Sequence, residues 1–305
     1  MTSENVLKVA IAQVAPVFLN RKETIQKACT MIQEAAENGA ALLVFPEAFI
    51  SGYPDWTWLV PNTDGATLNK LYTELLDNSI NLQENTEKLC KAAKKAGIMV
   101  AIGCNERNSK ASNSSLYNSL FLINEKGKIV ITHRKLIPTG AERLIWARGD
   151  GSTLKCYDSS IGKIGALICW ENLMPLARTS LYEQGLQILI SPTWDKSANW
   201  LNSMKHIAIE GGVFVLSACM ALHKDDIPDS YDFKKLYPKD REWINPGNSV
   251  IIGPKGNILA GPMENEQGIL YAELNLQDIS AAKRLFDVSG HYSRPDVFRF
   301  KVKND

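Results

Sequence analysis

The chain has 305 residues, of which 45% are apolar and 22% charged, so its composition is that of a globular protein able to bury a large core. Its 34 basic and 33 acidic side chains nearly balance, which gives no general attraction to nucleic acid or to an anionic membrane. The N-terminal sequence lacks a signal-peptide pattern and no apolar run of about 18 residues occurs, so we expect a soluble, cytoplasmic protein.

Short runs of β-branched residues alternate with longer segments whose apolar residues recur three and four apart, which is typical of α/β proteins. In the N-terminal part the pattern predicts strands at residues 6–14, 41–45 and 98–104 and helices at 23–38 and 82–96. Gly39 and Gly97 follow the two helices and are suited to end them. Such strand–helix–strand units favour parallel pairing.

The middle of the chain departs from this alternation. Strands at 116–123 and 129–134 are separated by the turn-rich residues 124–128, which predicts a hairpin. Further hairpins are predicted within 154–168 and 249–260. Between them we predict helices at 175–184 and 200–210 and strands at 188–191 and 213–218. Antiparallel strands must therefore join the parallel ones, so the sheet structure is mixed and doubled.

Two segments resist assignment, residues 48–80 in part and residues 222–247 almost entirely. The second interleaves charged residues with the aromatic residues Tyr231, Phe233, Tyr237 and Trp243. A solvated loop is the simplest interpretation. Because long loops without structure are uncommon inside compact domains and these aromatic rings would be exposed, a lid or a contact surface is favoured.

Six cysteines and four histidines are scattered along the chain without a C-x-x-C pair. This spacing predicts neither a zinc site nor a disulfide scaffold. Most of the cysteines are expected to be small buried apolar residues, so a catalytic cysteine has to be argued from its neighbours.

Three reactive side chains stand where predicted strands end, the position at which α/β folds place their functional groups. Residues 41–45 lead into Glu47, residues 129–134 lead into Lys135, and the apolar run after residue 163 leads into Cys169. Taken alone, Glu47 is more often a loop or capping acid and Lys135 a solvated turn residue. The cysteine, flanked by Trp170 and Glu171 before a predicted helix, is the sharpest of the three signals.

Together these positions resemble the carbon–nitrogen hydrolase, or nitrilase, superfamily over nearly the whole chain. Residues 45–54 (FPEAFISGYP), 133–139 (HRKLIPT) and 169–172 (CWEN) look like its glutamate, lysine and cysteine motifs. Residues 142–152 (ERLIWARGDGS) and 290–296 (GHYSRPD) look like the branch that contains true nitrilases. The resemblance implies an α-β-β-α sandwich with two mixed sheets, a single domain over residues 1–305, and at least a homodimer.

The resemblance also implies a catalytic set of Glu47, Lys135 and Cys169, with Glu142 as a second glutamate that orients the lysine. Cysteine suits the reaction because a nitrile carbon is a poor electrophile and needs a thiolate-like nucleophile, which a base such as Glu47 can generate. The Lys135 ammonium can stabilise the charge that develops on nitrogen. For Glu142 the alternative interpretation is an ion pair on the surface. No cofactor and no metal is required.

The pocket is expected to be aromatic, with substrate-binding roles for Tyr53, Trp146, Trp170 and Trp194. The sequence departs from the family at Gly140, where nitrilases commonly carry tyrosine, so a pocket wall is expected to be missing there.

The implied activity is hydrolysis of an organic nitrile to the carboxylic acid and ammonia through a thioimidate and a thioester on Cys169. An amidase or carbamoylase of the same superfamily is the nearest alternative, although tryptophan and glutamate after the cysteine favour a nitrilase. Cyanide hydrolysis and an inactive binding protein on the same fold are further alternatives. The sequence leaves open which nitrile is used and what ratio of acid to amide is formed.

Overall fold

The computed structural model describes residues 6–110 and 112–303, which form six α-helices and thirteen strands. The helices are α1 Arg21–Glu37, α2 Gly65–Asp77, α3 Glu87–Ala96, α4 Pro175–Tyr182, α5 Ala198–Gly211 and α6 Gln277–Lys283. The strands are β1 Val6–Gln13, β2 Leu42–Val44, β3 Met99–Arg107, β4 Leu116–Ile123, β5 Ile129–Arg134, β6 Tyr157–Ser159, β7 Gly162–Ala166, β8 Ile188–Ile190, β9 Phe214–Ser217, β10 Ala221–His223, β11 Trp243–Ile252, β12 Ile258–Glu264 and β13 Gly268–Asn275.

The strands form two mixed sheets. The first has the order β13-β1-β2-β3-β4-β5, with parallel pairing among β1, β2 and β3 and antiparallel pairing elsewhere. The second has the order β10-β11-β9-β8-β7-β6, with β12 added to β11 and parallel pairing among β7, β8 and β9. Parallel units joined by helices and extended by hairpins are what the alternation in the sequence predicts.

The buried apolar residues divide into layers that define the architecture. One cluster joins the facing sides of the two sheets, with Val44 and Leu120 from the first and Ile190 and Leu216 from the second. A second cluster packs α1 and α3 on the outer side of the first sheet, and a third packs α4 and α5 on the outer side of the second. The four layers form an α-β-β-α sandwich, which confirms the predicted fold class.

Local signals explain where several elements begin and end. The side chain of Asn20 accepts a hydrogen bond from the backbone of Glu23 and caps α1, and Ser197 caps α5 in the same way. Gly97 ends α3 in the left-handed region, as predicted for a glycine at that place. The hairpin of β4 and β5 has the predicted bounds.

The unassigned segments are ordered parts of the fold. Residues 48–80 contain a 3-10 helix, Asp55–Trp58, and α2. Residues 222–247 contain two further 3-10 helices and the start of β11, and Phe233 and Tyr237 are buried against residues of the 48–80 segment. This segment therefore packs against the rest of the chain and is not a solvated loop.

The helices of the described ranges offer no candidate for a membrane span, since none of them is both long and apolar enough.

Candidate active site

The three predicted reactive residues come from both sheets. Glu47 follows β2 and Lys135 follows β5, which both belong to the first sheet, and Cys169 follows β7 of the second. After β2 the chain stays close to β3, because Phe45 N donates to Ala101 O at 2.8 Å and Ile50 N donates to Gly103 O at 3.0 Å. The site therefore lies where the two sheets meet at their strand ends.

Gly103 allows the Glu47 loop to lie directly on β3. A Cβ atom at residue 103 would come within 2.2 Å of Pro46 O and 2.7 Å of Ala48 N, which no side chain can tolerate without movement of the backbone. This close approach explains why glycine stands in the middle of a buried strand. The position of Glu47 depends on it.

Lys135 joins the two glutamates in a buried chain of hydrogen bonds. Its ammonium donates to Glu47 Oε1 at 2.8 Å and to Glu142 Oε2 at 2.7 Å, and the Lys135 side chain is fully buried. Glu142 Oε1 accepts the hydroxyl of Tyr53 at 2.8 Å. Glu142 is 2% exposed, which excludes the alternative of a surface ion pair.

The carboxylate of Glu47 has one occupied and one free oxygen. Oε1 accepts from Lys135 and from Asn118 Nδ2 at 2.7 Å. Oε2 is buried and makes no hydrogen bond to any group of the described residues. A buried, unpaired carboxylate oxygen is costly unless the site uses it, and here it is available to receive a proton.

Cys169 occupies a strained turn. Its φ is 52°, a left-handed conformation that costs a residue with a side chain about 1–3 kcal/mol. The turn is fixed by Cys169 N donating to Pro192 O at 2.8 Å and by Asn172 Nδ2 donating to Leu167 O and Cys169 O, both at 2.8 Å. Thr193 Oγ1 donates to the sulfur at 3.2 Å. The thiol is held at a sharp corner between strand and helix.

Burial and charge act together on the titratable groups. Burial raises the pKa of Glu47 above its usual value, and Lys135 opposes that rise. Burial raises the pKa of Cys169 to about 12 with help from Glu47, while Lys135 lowers it. Burial alone would lower the pKa of Lys135, but Glu47, Cys169 and Glu142 raise it, so the lysine stays an ammonium ion. The resting site thus pairs a neutral thiol with an ammonium and a carboxylate of raised basicity.

A pocket of about 320 Å³ opens in front of the thiol. It is lined by the predicted residues Glu142, Cys169, Tyr53, Trp170 and Trp194 and by four that were not predicted, namely Trp58, Thr139, Asp195 and Ser197.

One wall of the pocket is built from stacked rings. Tyr53 and Trp194 lie face to face, with ring centroids 4.4 Å apart and planes 5° apart. The Trp194 indole donates to Asp55 Oδ1 at 3.2 Å, and Tyr237 donates its hydroxyl to Asp55 Oδ2 at 2.7 Å. The segment 222–247 therefore supports this wall from behind. Sequence alone gave no signal for that contact, because Asp55 and Tyr237 lie far apart along the chain.

Trp146 does not have the predicted place in this pocket. Its indole packs edge-on against Tyr53 with centroids 5.6 Å apart, and its Nε1 donates to Asn105 Oδ1 at 2.9 Å. The Lys135 ammonium lies 5.9 Å from the ring centroid. Trp146 is 3% exposed, packs against Tyr53 and is not among the residues that line this pocket.

Gly140 leaves no gap in the wall, contrary to expectation. It has a φ of 53°, and a Cβ atom there would lie 2.7 Å from Cη2 of Trp58. The Trp58 ring lies over the glycine and donates from Nε1 to the Tyr53 hydroxyl at 3.3 Å. A tryptophan from another part of the chain thus covers the place where a side chain at residue 140 would stand.

Within residues 6–110 and 112–303, no group of three or more His, Cys, Asp or Glu side chains is arranged to hold a metal ion.

Comparison with known proteins agrees with the fold and the sequence motifs. A crystal structure from Saccharomyces cerevisiae, of a member of branch 10 of the nitrilase superfamily, superposes with a TM-score of 0.74 over 95% of this chain and 97% of that one, at 21% identity. The fold is therefore that of the nitrilase superfamily. Residues 8–284 match the carbon–nitrogen hydrolase family.

Two relatives extend the likeness to nearly full length. The chain is 42% identical to Nitrilase 2 of Arabidopsis thaliana, with 99% of this chain and 90% of that protein covered. It is 40% identical to an aliphatic nitrilase of Sinorhizobium fredii, with 98% and 96% covered. The chain belongs to the carbon–nitrogen hydrolase family, and it is a hydrolase acting on carbon–nitrogen bonds.

Proposed function

We propose that the protein is a nitrilase, which hydrolyses an organic nitrile to the carboxylic acid and ammonia with Cys169 as nucleophile. The observation that carries the proposal is the buried chain Tyr53–Glu142–Lys135–Glu47, whose ionic groups act on the Cys169 thiol at the base of an aromatic pocket. The two relatives described above, Nitrilase 2 of Arabidopsis thaliana and the aliphatic nitrilase of Sinorhizobium fredii, are named for the same reaction, which supports the proposal.

The reaction begins with a proton transfer and an attack. Glu47 accepts the thiol proton of Cys169, and the sulfur forms a bond to the nitrile carbon. The nitrogen gains the proton, which gives a thioimidate. The free oxygen of Glu47 suits this transfer, because the other oxygen is held by Lys135 and Asn118.

Water then completes the conversion in two additions. The first water, deprotonated by Glu47, adds to the thioimidate carbon and gives a tetrahedral intermediate, from which ammonia departs. The second water attacks the resulting thioester and releases the carboxylic acid and the thiol. Lys135 stabilises the negative charge of each intermediate, a role worth about 3 kcal/mol per donor in acyl transfer.

Glu142 acts through Lys135 in this scheme. Its carboxylate accepts a hydrogen bond from the ammonium in addition to the one that Glu47 accepts, and the Tyr53 hydroxyl in turn donates to Glu142. The two carboxylates keep Lys135 protonated and hold its ammonium in a fixed position. The positive charge is therefore in place before the intermediate forms.

The pocket favours a small apolar nitrile. Tyr53, Trp58, Trp170 and Trp194 supply aromatic surface, and the volume of about 320 Å³ lies at the lower end of ligand sites. Thr139, Asp195 and Ser197 add polar groups to the lining. We therefore expect aliphatic or arylaliphatic nitriles of modest size to be accepted.

The deciding experiment compares matched nitriles and amides with the same side chain and measures ammonia release. A nitrilase produces the acid from the nitrile faster than from the amide, whereas an amidase or carbamoylase prefers the amide. Cys169→Ala is the control: it should remain folded and release no ammonia. Turnover by Cys169→Ala, or hydrolysis of amides alone, contradicts the proposal.

We also infer that the protein works as a homodimer or a larger homo-oligomer. Beside the cysteine turn, Leu173, Met174 and Leu176 expose apolar side chains, a surface that a second copy could cover. Light scattering at micromolar concentration tests this, since a stable monomer contradicts it. The cytoplasmic location stays a prediction that cell fractionation can test.

A further inference from the structure

Glu171, two residues after the nucleophile, is a buried carboxylate outside the pocket. It is 1% exposed. Its Oε1 accepts from Leu136 N at 2.5 Å, and its Oε2 accepts from Ile168 N at 2.6 Å. Nε2 of His133 lies 2.9 Å from Oε2 and 3.2 Å from Oε1. Two backbone N–H groups and an imidazole nitrogen therefore converge on one carboxylate that does not line the pocket.

The positions of these donors are specific. Leu136 directly follows Lys135, and Ile168 directly precedes Cys169. Lys135 follows β5 of the first sheet, whereas Cys169 follows β7 of the second. Glu171 thus connects the backbone of the two loops across the gap between the sheets, one residue away from each reactive side chain.

His133 adds a third connection from β5. Its side chain and that of Glu171 are both fully buried, and its Nδ1 lies 2.9 Å from Thr153 Oγ1. Both ring nitrogens of the imidazole therefore have a hydrogen-bond partner, and one of these partners is Glu171.

We propose that Glu171, with His133 as its side-chain partner, is a positioning residue. It holds the Lys135 loop of the first sheet and the Cys169 turn of the second in a fixed relative position. The left-handed backbone of Cys169 needs such support, because its conformation is unfavourable unless the surroundings enforce it. Charged hydrogen bonds to two backbone N–H groups are the strong kind that can do so.

Glu171→Gln tests the proposal with almost no change of volume. The glutamine amide nitrogen must face either Leu136 N or Ile168 N, so one of the two backbone hydrogen bonds is lost. We expect kcat for a nitrile to fall at least about tenfold while KM changes less than about threefold. A kcat within about threefold of the wild type would overturn the proposal.

Glu106→Gln is the matched control. Glu106 is also buried, and it accepts from Ser119 and from Arg134, the neighbour of Lys135, but its partners all lie in the first sheet. The same substitution there should lower the melting temperature and keep kcat within about threefold. If both variants lose kcat equally, Glu171 has only a general structural role and the proposal fails.

Alkylation of Cys169 by iodoacetamide gives a readout that does not need turnover. Because Lys135 lowers the pKa of the thiol, displacing the lysine should slow alkylation of Cys169 several-fold near pH 8. Faster alkylation, extending to the buried Cys104 and Cys219, would indicate general loosening and would overturn the proposal. The inference rests on the proposed nitrilase function only in the kinetic test. If the protein has no nitrilase activity but Glu171→Gln still slows alkylation of Cys169, the proposed function fails and the positioning role of Glu171 stands.

His133→Gln keeps the proposal testable if Glu171→Gln does not fold. This variant leaves the hydrogen bonds from Leu136 and Ile168 and removes only the imidazole. We expect at least about a threefold loss of kcat with little change in KM. An unchanged kcat together with unchanged alkylation of Cys169 would overturn the proposal.

Discussion

Lys135 Nζ lies 2.7 Å from Glu142 Oε2, and the same ammonium lies between that carboxylate and Glu47. Glu142 lies seven positions after Lys135, and the chain turns back through a 3-10 helix at Gly140–Leu144. Thr139 N also donates to Glu142 Oε2 at 2.7 Å, so the backbone fixes the carboxylate that fixes the lysine. The second glutamate is therefore part of the ionic core of the site.

Glu142→Gln should slow nitrile turnover at least about tenfold, which corresponds to 1.4 kcal/mol of transition-state stabilisation. The substitution removes a charge that holds the Lys135 ammonium. Weakened control of the tetrahedral intermediate should also let the thiol leave before ammonia, so the share of amide should rise. Chromatography of acid and amide measures both effects. An unchanged rate contradicts the catalytic role of Glu142. A slower rate at an unchanged acid-to-amide ratio would mean that Glu142 supports turnover but does not control whether the tetrahedral intermediate yields acid or amide.

Asn118→Ala should move the acidic limb of the pH–rate profile to higher pH. Glu47 must be a carboxylate to accept the thiol proton, so activity is lost as pH falls through its pKa. Burial already raises that pKa above the usual value for a glutamate, and the hydrogen bond from Asn118 lowers it. Removing the amide therefore raises it further. The measurement is kcat/KM against pH for both proteins, and a shift to lower pH would contradict the assignment of the base.

Gly103→Ala should reduce activity and stability together. The new methyl group would overlap Pro46 O and the backbone of Ala48, so the Glu47 loop must move away from β3. We expect a loss of at least about 2 kcal/mol in the free energy of unfolding and a large drop in kcat. Gly39→Ala is a suitable control, because no atom lies within 4 Å of a Cβ there, although its φ of 81° carries some strain. Denaturant unfolding and steady-state kinetics measure the two effects, and equal activity losses in both variants would contradict the steric explanation.

Much of the sheet structure could be predicted, because periodicity is a local property. The bounds of β4 and β5 follow from apolar runs on both sides of a turn, and α3 ends at a glycine as expected. Glu47, Lys135 and Cys169 follow β2, β5 and β7, where the sequence pattern predicted that strands end. The alternating pattern could not reveal that β13, near the C-terminus, pairs antiparallel with β1, since this pairing joins the two ends of the domain.

The parts of the site that were missed depend on contacts between distant segments. Trp146 follows the lysine motif and was predicted in the pocket, but a hydrogen bond to Asn105 of β3 holds its ring behind Tyr53. Trp58 lines the pocket because of its contact with Gly140, more than eighty positions away in the sequence. Strand periodicity does not predict where the side chain of either tryptophan points.

Trp58→Ala should widen the substrate range, because this ring stands where the pocket wall would otherwise be open. The ring lines the pocket and lies over Gly140, and it donates to the hydroxyl of Tyr53. Its removal should raise kcat/KM for a bulky arylaliphatic nitrile relative to a small aliphatic one by at least about tenfold, in line with the 1–3 kcal/mol that small changes in apolar pockets contribute to selectivity.

Gly140→Ala tests the same contact from the other side. In the wild type the added methyl group would lie 2.7 Å from the Trp58 ring and displace it, so selectivity should change and activity should fall. In a Trp58→Ala background the clash is absent, and the remaining cost should be that of alanine at a positive φ alone. The double-mutant cycle, measured as kcat/KM for both nitriles, should therefore give a clear coupling between the two positions. Additive effects would mean that Trp58 and Gly140 act separately, and the aromatic ring would then not be the wall that replaces a side chain at residue 140.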